Sequence, residues 1–107
     1  MGSSHLFETI IAHLGGETVL NRIGAREFFS DGTRVSFRLI YSNPKQVHSV
    51  VISTQPPGYF GMQCYGQILP GTLTAPLIGE ARQIIPESLA TVLGQLAGIE
   101  SIHHRHY

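Results

Sequence analysis

One cysteine, Cys64, stands in a chain of 107 residues. A lone thiol excludes an intramolecular disulfide, and it excludes a cysteine-based zinc site, which takes about two to four thiolates. That usage fits a reducing compartment, and a cytoplasmic location is expected from it. Aspartate is as scarce: Asp31 is the only one, and a turn explains it. No Asp/Glu couple sits at a spacing that forces proximity, so general acid–base chemistry has no visible carboxylate pair. A Ser-His-Asp set would have to recruit the turn aspartate. No apolar run reaches the roughly 18 residues that span a bilayer, so no membrane partner is expected. The N-terminus has no basic region, and Glu8 interrupts its first apolar stretch, so it does not read as a signal peptide. Finally, there is no excess of either charge: seven basic residues balance seven acidic ones. That excludes a nucleic-acid mimic and a broad basic coat for DNA.

What charge there is lies unevenly. Arg22, Arg26, Arg34, Arg38 and Lys45 are opposed over that stretch only by Glu27 and Asp31, five against two, or +3. The remainder carries two basic and five acidic residues, or −3. About 42% of the chain is apolar, enough for one core in a domain of this size. Residues 1–5 look like the remnant of an expression tag, 6–100 read as a single domain, and 101–107 read as a polar, mobile tail.

Leu6, Phe7, Ile10, Ile11 and Leu14 fall on one helical face, with Ser4 as the expected N-cap and Gly15-Gly16 as the stop. Val19, Leu20 and Ile23 predict a second short helical turn. Asp31-Gly32 between two strand-like runs is a hairpin signal. In the second arm Val35, Phe37 and Leu39 alternate with Arg34, Ser36 and Arg38, which puts the arginines on the face away from the core. A third strand is expected over 46–54, its centre Val50-Val51-Ile52 apolar on both faces. A fourth is expected over 59–69, and 70–79 reads as a loop or an edge strand. Pro86-Glu87 opens a last helix, with Leu89, Val92, Leu93 and Leu96 inward and Gly98 closing it. Short connections demand antiparallel pairing. The expected fold is therefore α+β: a three- to four-stranded antiparallel meander with N- and C-terminal helices on one face.

The order Leu14-Gly15-Gly16, Ile23-Gly24-Ala25-Arg26-Glu27-Phe28, Val35-Ser36-Phe37-Arg38-Leu39, then a strand over 47–52 and a helix ending in Gly98-Ile99 resembles a group of short, functionally unassigned proteins of phages and mobile elements. Those show a Leu-Gly-Gly step, a Gly-Ala-Lys-x-Phe segment, a Ser-Phe-Lys/Arg strand and a closing Thr-Gly-Leu-Tyr. The resemblance covers about positions 6–99. The closing tyrosine is absent here, and the spacing departs over 56–69. It implies a phage-like origin and an accessory role, and no catalytic residues.

The candidate site follows from the arginines. Arg34 and Arg38 lie roughly 13 Å apart along one strand face. Arg26 on the paired arm, His48 on the next strand and Tyr41 at the end extend that face. It would grip the acidic side chains of a protein, or phosphates by bidentate hydrogen bonds; equally, it is an ordinary solvated face paired with Glu27 and Asp31. The aromatic pairs of RNA-recognition sheets are not evident. His103, His104 and His106 are common metal-ligand types, but a frayed tail fixes no geometry, so no metal and no cofactor is expected. Gly58, Gly61, Gly66 and Gly71 lack the lysine and the context of a phosphate loop. Cys64 reads as a small buried side chain; as a nucleophile it would need His48 or His13 beside it. The expected function is a non-enzymatic binding protein that engages a host macromolecule, protein before nucleic acid, through Arg34, Arg38, Arg26, His48 and Tyr41. The alternative is a small enzyme or ligand-binding domain with a pocket at Cys64, Tyr65 and His48. A homodimer is compatible with either, through the apolar Val50-Val51-Ile52.

Overall fold

The computed structural model describes residues 2–99. The tail read over 101–107, with its three histidines, lies outside the described residues. The chain enters through two helices, α1 (Gly2–His13) and α2 (Gly16–Arg22). The apolar spacing of α1 places Ile10 in the core, with Leu6, Phe7 and Ile11 packed against it, and Leu14 just beyond the helix is buried too. Helix α1 begins at Gly2, upstream of Ser4, so Ser4 lies inside the helix and is not its N-cap; the helix runs through the segment read as a tag remnant.

Among the described residues, five strands form one sheet: β1 (Ala25–Ser30), β2 (Arg34–Leu39), β3 (Ser49–Gln55), β4 (Tyr59–Tyr65) and β5 (Leu77–Ile84). They lie in sequence order, each antiparallel to the next. A 3-10 turn at Pro86–Ser88 leads into α3 (Leu89–Ala97), which Gly98 closes in the left-handed region as expected.

The sheet thus has one strand more than the three or four expected. Strand β5 is hidden in the sequence because its alternation fails. Leu77 and Ile78 are both exposed, and its pairing slips by one residue between Phe60↔Ile84 and Met62↔Ala81. Gln83 carries the slip with a φ of 54°. The Gln55 side chain reaches across to it, accepting the Gln83 N–H at 2.8 Å. Strand β3 begins later than expected, at Ser49. The Asn43 amide closes the preceding turn, donating to the Val47 carbonyl and accepting the Val47 N–H, both at 2.9 Å.

Period two holds through the centre of the sheet. Val35, Phe37 and Leu39 of β2, Val50 and Ile52 of β3, and Phe60, Met62 and Cys64 of β4 are buried in one cluster with Leu20, Leu89 and Leu93 from the helical side. The opposite face carries Ser36, Val51 and Gln63, in register across β2, β3 and β4. The apolar Val50-Val51-Ile52 run therefore offers no exposed edge: β3 is the central strand, two of the three valine and isoleucine side chains are core, and only Val51 lies on the far face, half-buried. No described helix is long and apolar enough to cross a membrane.

Candidate interaction surface

The face of the sheet away from the helices is the surface on which the charged residues meet. Arg26 stands opposite Arg38, and Arg38 opposite Ser49. Strict alternation would turn Glu27 to the helix side. Instead β1 bulges between Arg26 and Phe29, where three steps on β1 match two on β2, and Glu27 takes a φ of 59°. A bulge re-aims a side chain. Here it brings the Glu27 carboxylate to Arg38, whose Nη1 donates to Oε1 at 3.1 Å. It also splits the two phenylalanines. Phe28 packs between Phe7 and Phe37, with ring centroids 5.8 and 5.2 Å away. Phe29 lies opposite Ser36 and is 57% exposed.

Arg38 is the centre of a small network. Its Nη2 lies 2.6 Å from His48 Nε2. A guanidinium has donors only, so in this contact Nε2 is the acceptor. Arg34 stands at the hairpin end, and its Nη2 donates to Asp31 Oδ2 at 3.1 Å. Arg26 turns back to its neighbour, Nη1 donating to the Ala25 carbonyl at 2.8 Å. Across the sheet, Arg82 and Gln63 both reach Glu80, at 3.5 and 3.3 Å. The structure therefore joins Arg38 to His48, sets Arg26 beside them in register, and leaves Arg34 apart at the hairpin. The acids that the sequence left as possible partners, Glu27 and Asp31, are the partners of Arg38 and Arg34. All four side chains are between a third and two thirds exposed, and surface pairs of this kind contribute about 0–1 kcal/mol.

Asp31 is the best-held of these acids. The Thr33 N–H and then the Arg34 guanidinium, with the Thr33 hydroxyl and the Arg34 N–H behind them, pull its carboxyl down to about 2 from 3.8. A carboxyl lowered by folding adds stability above its unfolded value, and that stability is lost as pH falls through the folded value. Asp31→Asn is thus expected to lose less stability than the parent chain between about pH 4 and pH 2, measured by denaturant unfolding across that range.

Tyr41 lies beyond β2, in the wall of a cleft of about 720 Å³ between the 40–48 and 66–78 segments. Its ring sits on Gly24, where a Cβ would come within 2.6 Å of the ring Cγ. His48 lines this cleft and also a smaller depression that it shares with Arg38, Ser49 and Ile68. His48 and Tyr41 thus meet at one end of the sheet, with Arg38 next to them.

The pocket imagined at Cys64, Tyr65 and His48 does not assemble. Neighbours on a strand point to opposite faces. Cys64 is fully buried under the helices, opposite Val50, while Tyr65 is opposite Ser49 and its hydroxyl donates to Gln63 on the far face. Burial pushes the Cys64 thiol up to about 12, so it carries no thiolate at neutral pH. Among the described residues, no group of three or more His, Cys, Asp or Glu is placed to hold a metal ion.

Sequence reasoning missed Glu80 and Arg82 as members of this surface. Arg26 and Phe29 share a face only because the bulge places an extra residue between them. Glu80 and Arg82 sit on β5, just beyond the 70–79 segment that reads as a loop or an edge strand. No family model matches this chain, and neither a curated protein nor a solved structure matches it.

Proposed function

We propose that this protein is a non-enzymatic binding module that engages an acidic surface of a protein partner through the uncovered face of its sheet. The observation that supports this reading best is the composition of that face. Arg26, Arg34 and Arg38 stand with Phe29, Tyr59 and Tyr65 around a centre of small, half-buried side chains, Ser36, Ser49, Val51 and Ser53. Arginine and aromatic residues are the types enriched at protein interfaces and at their energetic hot spots. Arg38 and Arg34 are already oriented by exposed carboxylates, so a partner's acids would replace ready-made contacts. A nucleic acid is the weaker reading, because phosphate binding rests on uncompensated cations and here Glu27, Asp31 and Glu80 offset them. The resemblance to short phage and mobile-element proteins would make the partner a host protein.

The variant Arg34→Ala/Arg38→Ala tests the assignment. Binding is expected to fall tenfold or more. Stability is expected to change by no more than about 1 kcal/mol, since both side chains are exposed. Unchanged binding would remove the arginines from the site, and loss of the fold would make them structural.

A further inference from the structure

Residues 66–78 contain no charged side chain. They form the connection from β4 to β5 and the first two residues of β5, and their large apolar residues, Ile68, Leu69, Leu73, Leu77 and Ile78, are exposed. Leu73 is 96% exposed, the most of any large hydrophobic residue among those described. This is not a slack loop. Gly66 N–H donates to the Pro76 carbonyl at 2.8 Å and closes its base. At its tip, Pro70 and Gly71 occupy the middle of a turn whose Thr72 N–H donates to the Leu69 carbonyl at 3.2 Å. Gly71 has a φ of 81°, which a type II turn with proline before it requires. The Thr72 hydroxyl donates to the Leu69 and Thr74 carbonyls. An apolar side chain is thus held in water by a built turn, at the cost of its hydration.

Beside this knob lies a hole. The 720 Å³ cleft has Leu69, Pro76 and Ile78 of the same segment as one wall, and Ile40 and Tyr41, with Asn43, Lys45 and His48 beside them, as the other. We infer that the occupant of the cleft is a second copy of the chain, and that two copies exchange their 66–78 loops, the Leu73 tip of each seated in the cleft of the other. Three observations favour a copy over a foreign partner. Knob and hole sit on the same end of one molecule, the arrangement in which a two-fold axis lets each contact occur twice. The segment is uncharged, so facing itself brings no like charges together. The exposed apolar side chains sum to the order of 500 Å², at the upper end of what a monomer leaves uncovered. Doubled by symmetry, that reaches the roughly 1,000 Å² of a specific interface.

Sedimentation velocity over a concentration series tests this. The parent chain is expected to pass from its 11.7 kDa monomer to twice that mass. Leu73→Asp on the knob and Ile40→Asp on the wall are each expected to raise the dissociation constant tenfold or more, with thermal unfolding of the monomer unchanged because both positions are exposed. A parent chain that stays monomeric at every concentration would overturn the inference. So would a dimer that both variants leave intact, or an open series of larger assemblies.

Discussion

Gly24→Ala is expected to destabilise the fold by about 3 kcal/mol, whereas Gly71→Ala costs about 1 kcal/mol, although both glycines hold a positive φ. The backbone strain is common to the two positions, with φ of 83° and 81°. The surroundings are not. A Cβ at Gly71 meets nothing within 4 Å, while at Gly24 it would lie 2.6 Å from Tyr41 Cγ and 2.9 Å from the Tyr41 backbone nitrogen. The ring could swing away, but the backbone is tied, because the Ile40 N–H donates to the Gly24 carbonyl at 2.8 Å. The clash therefore opens the junction between α2 and the end of β2 and displaces Tyr41 from the cleft wall. For a domain of this size, 3 kcal/mol corresponds to roughly 10–20 °C in melting temperature. Calorimetry on the two variants reads the difference directly. Equal melting temperatures would show that Tyr41 does not press on Gly24.

The larger loss is expected at Phe37. It is 1% exposed at the centre of β2, and its ring begins a line of three. Phe28 of β1 lies 5.2 Å away, and Phe7 of α1 stands edge-on to Phe28 at 5.8 Å. Phe37→Ala removes the inner ring and leaves a cavity between helix and sheet, at about 3–5 kcal/mol. A domain holds about 5–15 kcal/mol in all. The variant is thus expected to unfold at a much lower urea concentration, with its slope unchanged. A loss under about 1 kcal/mol would mean that Phe28 collapses into the space.

These two residues also show what was legible in the chain. Phe37 was placed by alternation alone, since Val35-x-Phe37-x-Leu39 with the polar Ser36 and Arg38 between admits one orientation. The hairpin at Asp31-Gly32 and the closing Gly98 were readable for the same reason: local chemistry decides them. Strand β5 was not, because Gln83 breaks its period and its support, the Gln55 side chain, comes from 28 residues away. The extent of β3 depended on the Asn43 clamp, another side-chain contact that no pattern announces. At the site, the sequence identified the arginines, and their possible partners in Glu27 and Asp31. It did not reveal the bulge that delivers Glu27, nor that Cys64 and Tyr65 part to opposite faces in a way that dissolves the imagined pocket. The exposed 66–78 segment was a plain uncharged run in the sequence, and only its exposure in the fold gives it meaning.

Capture of partners from host lysate by the full chain, with and without nuclease and alongside Arg34→Ala/Arg38→Ala, tests most directly the proposal that the uncovered sheet face binds a protein through its arginines. The predicted result is a discrete protein band that survives nuclease and disappears with the double variant. A band that the variant retains, or a signal that nuclease abolishes, would contradict it.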